Sequence, residues 1–176
     1  HGIEELKSEV ESLALLTHVN VVHILGMFRG PAPKDAKEDW KMAMEFCPTN
    51  LKKMLYASKA PEHLDHNADL MVKFAEQIMT GLAYIHGEDK RHLDLKPENI
   101  LLSKDESEDW VCKIGDFGMQ YEEDNEKNDS QPFGTWEYMS PECQPCKTER
   151  VDKPGDASDI FSFGIFLWEC VNGQRC

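Results

Sequence analysis

The stretch HLDLKPENILL, residues 92–102, places a carboxylate, an ammonium group and a carboxamide close together, directly before an aliphatic run. These groups belong to Asp94, Lys96 and Asn99. A segment with helical spacing precedes the stretch, and β-forming residues follow it, so the sequence predicts a loop between two rigid elements. Loops held in this way commonly carry catalytic groups.

Hydrophobic periodicity predicts alternating helices and strands on both sides of this loop. The first segment carries apolar residues at steps of three and four and is predicted to form an amphipathic helix ending near Thr17 and His18. Asn67 is the predicted N-cap of the long helix that leads to the loop. The other predicted elements are strands at 20–28, 40–46, 99–103 and 110–114, a short helix at 51–57, and an apolar, buried helix at 156–173.

Composition excludes several classes of protein. The formal net charge of −14 argues against a nucleic-acid binder or a basic membrane-surface protein, because both need positive patches. Ser162, Gly164 and Glu169 interrupt the most apolar segment, so no membrane span is predicted. The chain shows no signal-peptide pattern, and its six scattered cysteines predict reduced thiols in a cytoplasmic protein. The oligomeric state stays open.

The segment CQPC, Cys143 to Cys146, raises the alternative of a small zinc or redox protein. A tetrahedral zinc site needs a second ligand pair, and His63 with His66 is the only other candidate at a suitable spacing. Two unrelated loop thiols explain the pattern equally simply. We therefore expect no metal here beyond weakly bound magnesium.

A second carboxylate follows the last predicted strand, in KIGDFG, at Asp116. The predicted strand pair would bring Asp116 close to Asn99, and two oxygen ligands suit a magnesium ion that also holds phosphates. Asp94 would then be left to accept a proton from a hydroxyl group, while Lys96 neutralises charge on a group in transfer. This set of groups predicts phosphoryl transfer from a nucleotide to an alcohol.

Four motifs in this chain resemble those of the eukaryotic protein kinase family: HLDLKPEN, DFG, SPE at residues 140–142, and SDIFSFG at residues 158–164. Their order and spacing also match, over nearly the whole chain. The resemblance implies an α+β, two-lobe fold that is truncated at both ends. Residues 1–44 would form part of the N-terminal lobe, 45–48 the hinge, and 49–176 part of the mainly helical C-terminal lobe.

The resemblance also implies roles for single residues. Asp94 would be the catalytic base or the carboxylate that orients the substrate, and Lys96 the phosphate-contacting lysine, with Asn99 and Asp116 as magnesium ligands. Thr135, in GTWEYMSPE, would bridge Asp94 and Lys96. Asp159 would hold the catalytic loop by its backbone. The LKPEN form resembles the serine/threonine branch, which implies ATP, Mg²⁺ and a protein substrate with a serine or threonine.

The nucleotide pocket follows from the same resemblance. Glu9 would be the helix glutamate that pairs with a strand lysine, and Met44 would stand at the back of the adenine pocket. Glu45 and Cys47 would offer backbone groups to adenine, and Leu101 would form the floor. A stacked apolar spine would comprise Leu13, Ile24, His92 and Phe117.

The chain departs from the family pattern in several places. Within these 176 residues no glycine-rich loop and no strand lysine precede the Glu9 helix, and Glu142 is expected to have no partner. We read both ends as cut and expect this chain alone to bind nucleotide weakly or not at all. A non-catalytic, kinase-like scaffold that binds other proteins is therefore the alternative function.

Four further residues bear on regulation or on the burial of charge. Leu93 replaces the arginine that usually pairs with a phosphorylated activation loop, which weakens the case for that switch. Ser130 is a candidate phosphosite in the acidic loop. Lys90 and Arg91 replace two aliphatic residues, so either they are exposed or nearby acids compensate their charge.

Overall fold

The computed structural model describes residues 7, 10–30, 40–56, 68–116, 134–144 and 154–172. A first helix, α1, includes residues 7 and 10–14. The strands are β1 (Ile24–Arg29), β2 (Trp40–Met44), β3 (Thr49–Asn50), β4 (Ile100–Lys104) and β5 (Trp110–Ile114). The other α-helices are α2 (Leu51–Tyr56), α3 (Ala68–Gly87) and α4 (Asp156–Asn172). Short 3-10 helices lie at Trp136–Tyr138 and Pro141–Cys143.

The long helix α3 forms the centre of the packing. Its apolar residues recur at helical spacing, and Phe74, Ile78, Leu82 and Ile85 are at most 1% exposed. Gly81 is required on this face, because a Cβ there would lie 2.7 Å from the carbonyl oxygen of Asn20. The backbone of the first segment therefore sits directly against α3.

The segment before β1 is hydrogen-bonded to β5 of the second sheet. Strands β1 and β2 pair antiparallel, and β3, β4 and β5 form a second antiparallel sheet. Ile114 at the end of β5 accepts a hydrogen bond from Val22 N (2.8 Å) and donates to Asn20 O (2.9 Å). The Asn20 side chain also donates to Cys112 O at 2.9 Å. These bonds connect the N-terminal segment to the second sheet.

A single main hydrophobic cluster covers the described part of the chain from α1 to α4. Leu13 and Ile24 contribute from the N-terminal part, and Phe166 contributes from the last helix. The predicted α+β class is thus confirmed. No helix among the described residues is both long enough and apolar enough to cross a membrane.

Most predicted elements are present within a few residues of their predicted bounds. Strand β3 was not predicted, because Pro48 and polar neighbours indicated a break; its two residues pair with Leu101 and Leu102. Helix α4 was predicted to be buried on almost every side, but Ile160, Phe161, Trp168 and Val171 are between 42% and 84% exposed. Asn67, the predicted N-cap of α3, lies outside the described residues.

Candidate active site

The catalytic-loop candidate, residues 92–99, lies between α3 and β4 and is held by hydrogen bonds to a residue of α4. Asp159, which is completely buried, accepts hydrogen bonds from His92 N (2.9 Å) and Leu93 N (2.7 Å). Its carboxylate also bonds His86 Nε2 at 2.8 Å. The predicted backbone contact from Asp159 is therefore confirmed, and it holds the loop immediately before Asp94.

His92 fixes the loop from the other side. It is completely buried, its Nδ1 lies 3.2 Å from Asp94 N, and its Nε2 lies 2.8 Å from Gly115 O. Because Nδ1 accepts the backbone N–H, the proton of a neutral ring is on Nε2, which donates to Gly115 O. The imidazole thus links the loop to the segment just before Asp116. Phe117, which the resemblance placed in the same spine, lies outside the described residues.

Asp94, Lys96 and Thr135 form a closed hydrogen-bonded group. Lys96 Nζ lies 2.6 Å from Asp94 Oδ2 and 2.7 Å from Thr135 Oγ1. Thr135 donates to Asp94 Oδ1 from both its hydroxyl (2.6 Å) and its backbone N–H (2.7 Å). The bridging position predicted for Thr135 is observed. The carboxylate of Asp94 thus lies between a hydroxyl and an ammonium group, an arrangement that can orient a second alcohol.

Hydrogen bonds place Asn99 beside Asp94 and link Asn99 to the residue before Asp116. Asn99 Nδ2 donates to Asp94 O (2.9 Å) and Asp94 Oδ2 (3.2 Å), which orients the carboxamide. Asn99 O accepts from Gly115 N at 2.9 Å, so the residue before Asp116 is bonded to Asn99. Asp116 has a φ of 60° and an exposed side chain. Asn99 is buried and Asp116 is exposed, and their carboxamide and carboxylate oxygens are hard ligands that fit Mg²⁺, which keeps several waters or phosphate oxygens.

No group of three or more His, Cys, Asp or Glu side chains in the described residues could hold a metal by itself. Cys143 is buried, whereas Cys146, His63 and His66 lie outside the described part. Burial raises the pKa of Cys170 to about 12 and the pKa of Cys112 even further. These two thiols stay protonated and are poor nucleophiles or metal ligands. The zinc or redox alternative, which concerns Cys143 and Cys146, stays a prediction.

The predicted pocket residues meet at the edge where β2 approaches the second sheet. Glu45 forms an ion pair with Lys113 of β5 at 3.1 Å, and Lys113 is the register partner of Leu101 in β4. Glu45 N also donates to His23 O at 2.9 Å. Met44 is 39% exposed, and Cys47 is half-buried. The side chain of Glu9 and residue Ser130 lie outside the described residues.

Leu93 contributes an apolar contact where the family usually has an arginine. It is 4% exposed and forms a small cluster with Met139 and Cys143 of the segment that follows Thr135. Its φ of 58° is unusual for a residue with a branched side chain. An apolar contact therefore connects the catalytic loop to this segment at position 93.

The segment 135–143 is also tied to α4 by polar side chains that were not predicted. Tyr138 donates its hydroxyl to the buried Glu169 at 2.7 Å, and Ser162 donates to Tyr138 O at 2.7 Å. Ser158 donates to Glu142 at 2.5 Å, so the expectation that Glu142 has no partner was wrong. Ser158, Ser162 and Glu169 are spaced by four and seven residues and share one face of an otherwise apolar helix. That spacing in the sequence indicates a polar face on this helix.

Comparison with known proteins places these observations in a family. The family model of the protein kinase domain matches residues 1–176. The lectin-domain containing receptor kinase VI.3 of Arabidopsis thaliana is 32% identical over 99% of this chain and 24% of its own length. The interferon-induced, double-stranded RNA-activated protein kinase of Mus musculus is 32% identical over 98% of this chain and 33% of its own.

The serine/threonine-protein kinase-transforming protein mos of myeloproliferative sarcoma virus is also 32% identical, over 93% of this chain and 47% of its own length. The chain therefore spans about a quarter to a half of the length of these relatives.

Proposed function

Because this chain belongs to the protein kinase domain family, we propose that it carries the phosphoryl-transfer site of a protein kinase acting on serine and threonine hydroxyls. The observation that carries this proposal is the group formed by Asp94, Lys96 and Thr135, with Asn99 bonded to the same carboxylate. A protein that acts only by binding others would have no need to keep all these groups in register.

In the proposed reaction, Asp94 orients the substrate hydroxyl and accepts its proton as the oxygen attacks the γ-phosphorus of ATP. Lys96, which already lies between a carboxylate and a hydroxyl, offsets negative charge on the group in transfer. Asn99 and Asp116 would hold Mg²⁺, which neutralises phosphate charge when bound. The products are ADP and a phosphorylated serine or threonine.

The preference for serine and threonine is supported by Lys96 in the LKPEN form and by the name of the mos relative, which is a serine/threonine-protein kinase. Within the 176 residues, nothing matches the glycine-rich loop or the strand lysine of the family. We therefore infer that the isolated chain has little affinity for ATP. A cytoplasmic location also remains a proposal, supported by four free thiols among the described residues.

The deciding experiment compares the full-length protein with its Asp94→Asn variant, using radiolabelled ATP, Mg²⁺ and a generic protein substrate. We expect a loss of at least about 100-fold in kcat, because removal of the base and of the charge near Lys96 affects the transition state. Asp105→Asn is the matched control, since Asp105 lies on an exposed turn. Equal activity of Asp94→Asn and the parent protein would contradict this mechanism.

Acid hydrolysis of the labelled substrate then releases its phosphoamino acids, and electrophoresis separates phosphoserine and phosphothreonine from phosphotyrosine. Label found mainly on tyrosine would contradict the proposed specificity. A full-length protein that folds, binds other proteins and transfers no phosphate would favour the scaffold alternative.

A further inference from the structure

Lys90 and Arg91, here called the basic pair, lie where the family usually has two aliphatic residues. Both side chains are half-buried, and the acids Asp89 and Asp156 compensate the charge of Arg91, whereas Lys90 has a neutral hydroxyl as its partner. Arg91 contacts Asp89 at 2.7 Å and Asp156 at 2.9 Å, and Lys90 donates to the hydroxyl of Ser12 at 2.7 Å. These contacts are absent from the catalytic scheme above.

Hydrogen bonds fix the backbone of the turn that carries the basic pair. Helix α3 ends in a Schellman motif, in which Lys90 N donates to Ile85 O (3.1 Å) and Asp89 N donates to His86 O (3.0 Å). Asp89 occupies the left-handed position, with a φ of 56°, where glycine is more common. Arg91 Nη1 bonds both Asp89 O and Asp89 Oδ1, which stabilises this turn.

The side chains of the basic pair reach two different helices. Ser12 belongs to α1 and is 78 residues from Lys90 in the sequence. Asp156 begins α4, three residues before Asp159, which holds His92 and Leu93 by their backbone N–H groups. The residues that lead directly to Asp94 are therefore bonded to α1 on one side and to α4 on the other.

We propose that Lys90 is a positioning residue that fixes α1 relative to the catalytic loop through Ser12, a role that rests on the proposed function. Arg91 completes the connection by fixing the same segment to the start of α4. An aliphatic residue at position 90 would offer no donor to Ser12. In this chain a directed hydrogen bond from an ammonium group thus sets the position of α1, the helix on which Glu9 would act.

The test uses the full-length protein and four variants: Ser12→Ala, Lys90→Leu, the double variant, and Lys90→Arg. Kinetics with ATP and a protein substrate should show kcat reduced about threefold to tenfold in Ser12→Ala and Lys90→Leu, with the KM of the protein substrate unchanged. The double variant should be no worse than Lys90→Leu, because both changes remove the same bond. Lys90→Arg should retain most of the activity.

Lys73→Leu is the matched control. Lys73 is also paired across elements, with Asp109 at 3.3 Å, but it lies on an exposed face of α3 away from α1. Its removal should leave kcat unchanged. An additive loss in the double variant, or an equal loss in Lys73→Leu, would overturn the role of Lys90.

Hydrogen exchange separates a failure of this inference from a failure of the proposed function. In Ser12→Ala and Lys90→Leu, amides of residues 10–16 should exchange faster, whereas those of residues 78–85 in the core of α3 should not change. If the parent protein transfers no phosphate, the proposed function fails, and faster exchange still supports the anchoring of α1. Unchanged exchange and unchanged kcat together would refute the anchoring in an active enzyme.

Discussion

Replacement of Asp159 by alanine should destabilise the fold more than any other single change at the site. The carboxylate is completely buried and is the acceptor for His92 N and Leu93 N, and it also bonds His86. Each buried donor left without an acceptor costs about 1–3 kcal/mol, so the two backbone groups together cost about 2–6 kcal/mol. That is a large share of the about 5–15 kcal/mol by which domains are stable.

Urea unfolding followed by circular dichroism measures this free energy directly. Asp159→Asn keeps one oxygen acceptor and should lose about half as much as Asp159→Ala. Asp156→Ala is the matched control on the same helix, because its pair with Arg91 is exposed and such pairs contribute about 0–1 kcal/mol. A free energy of unfolding for Asp159→Ala within about 1 kcal/mol of the Asp156→Ala value would refute this account of the loop anchor.

Three more changes test the site. Gly134→Ala would place a Cβ 2.3 Å from Leu93 O at a φ of 100°, so we expect faster proteolysis of segment 135–143 and lower kinase activity, measured against the parent protein. Leu93→Ala should cost about 2–3 kcal/mol in urea unfolding, the low end for a buried leucine, because its cluster with Met139 and Cys143 is small. Burial, and then Lys113, lower the pKa of His18 below its usual value of 6.5, so the folded state favours the neutral ring. Stability from His18 is complete above pH 6.5 and falls as the pH drops towards the folded pKa, so His18→Asn should flatten the dependence of Tm on pH below 6.5.

Local patterns accounted for the long helix and for the β4–β5 pair. The apolar residues of α3 recur at helical steps, and burial of that face follows from the sequence itself. Strand β3 depends instead on Leu101 and Leu102, which lie far away in the sequence. Two residues are too few to show an alternating strand pattern, and a strand this short forms only by pairing with β4.

The residues of the site also differ in whether local sequence was enough to predict them. The spacing of Asp94 and Asn99 predicted a polar loop from local information, and the family resemblance supplied Thr135 and Asp159. The spacing of Glu169 from Ser158 and Ser162 indicates a shared face of α4, but it does not identify Tyr138 as the partner of Glu169, because a glutamate within an apolar helix is equally compatible with an exposed position. Its burial depends on which segment packs against that face of α4.

The bonds between Asn20 and the end of β5 also bear on how the chain unfolds. Asn20 and Cys112 are 92 residues apart, and one hydrophobic cluster includes residues from α1 to α4. Contacts between residues so far apart in the sequence form late in folding, because closing the long loop between them costs conformational entropy. Cleavage near residues 45–48 should therefore leave two pieces that stay associated and lose structure together in one cooperative transition.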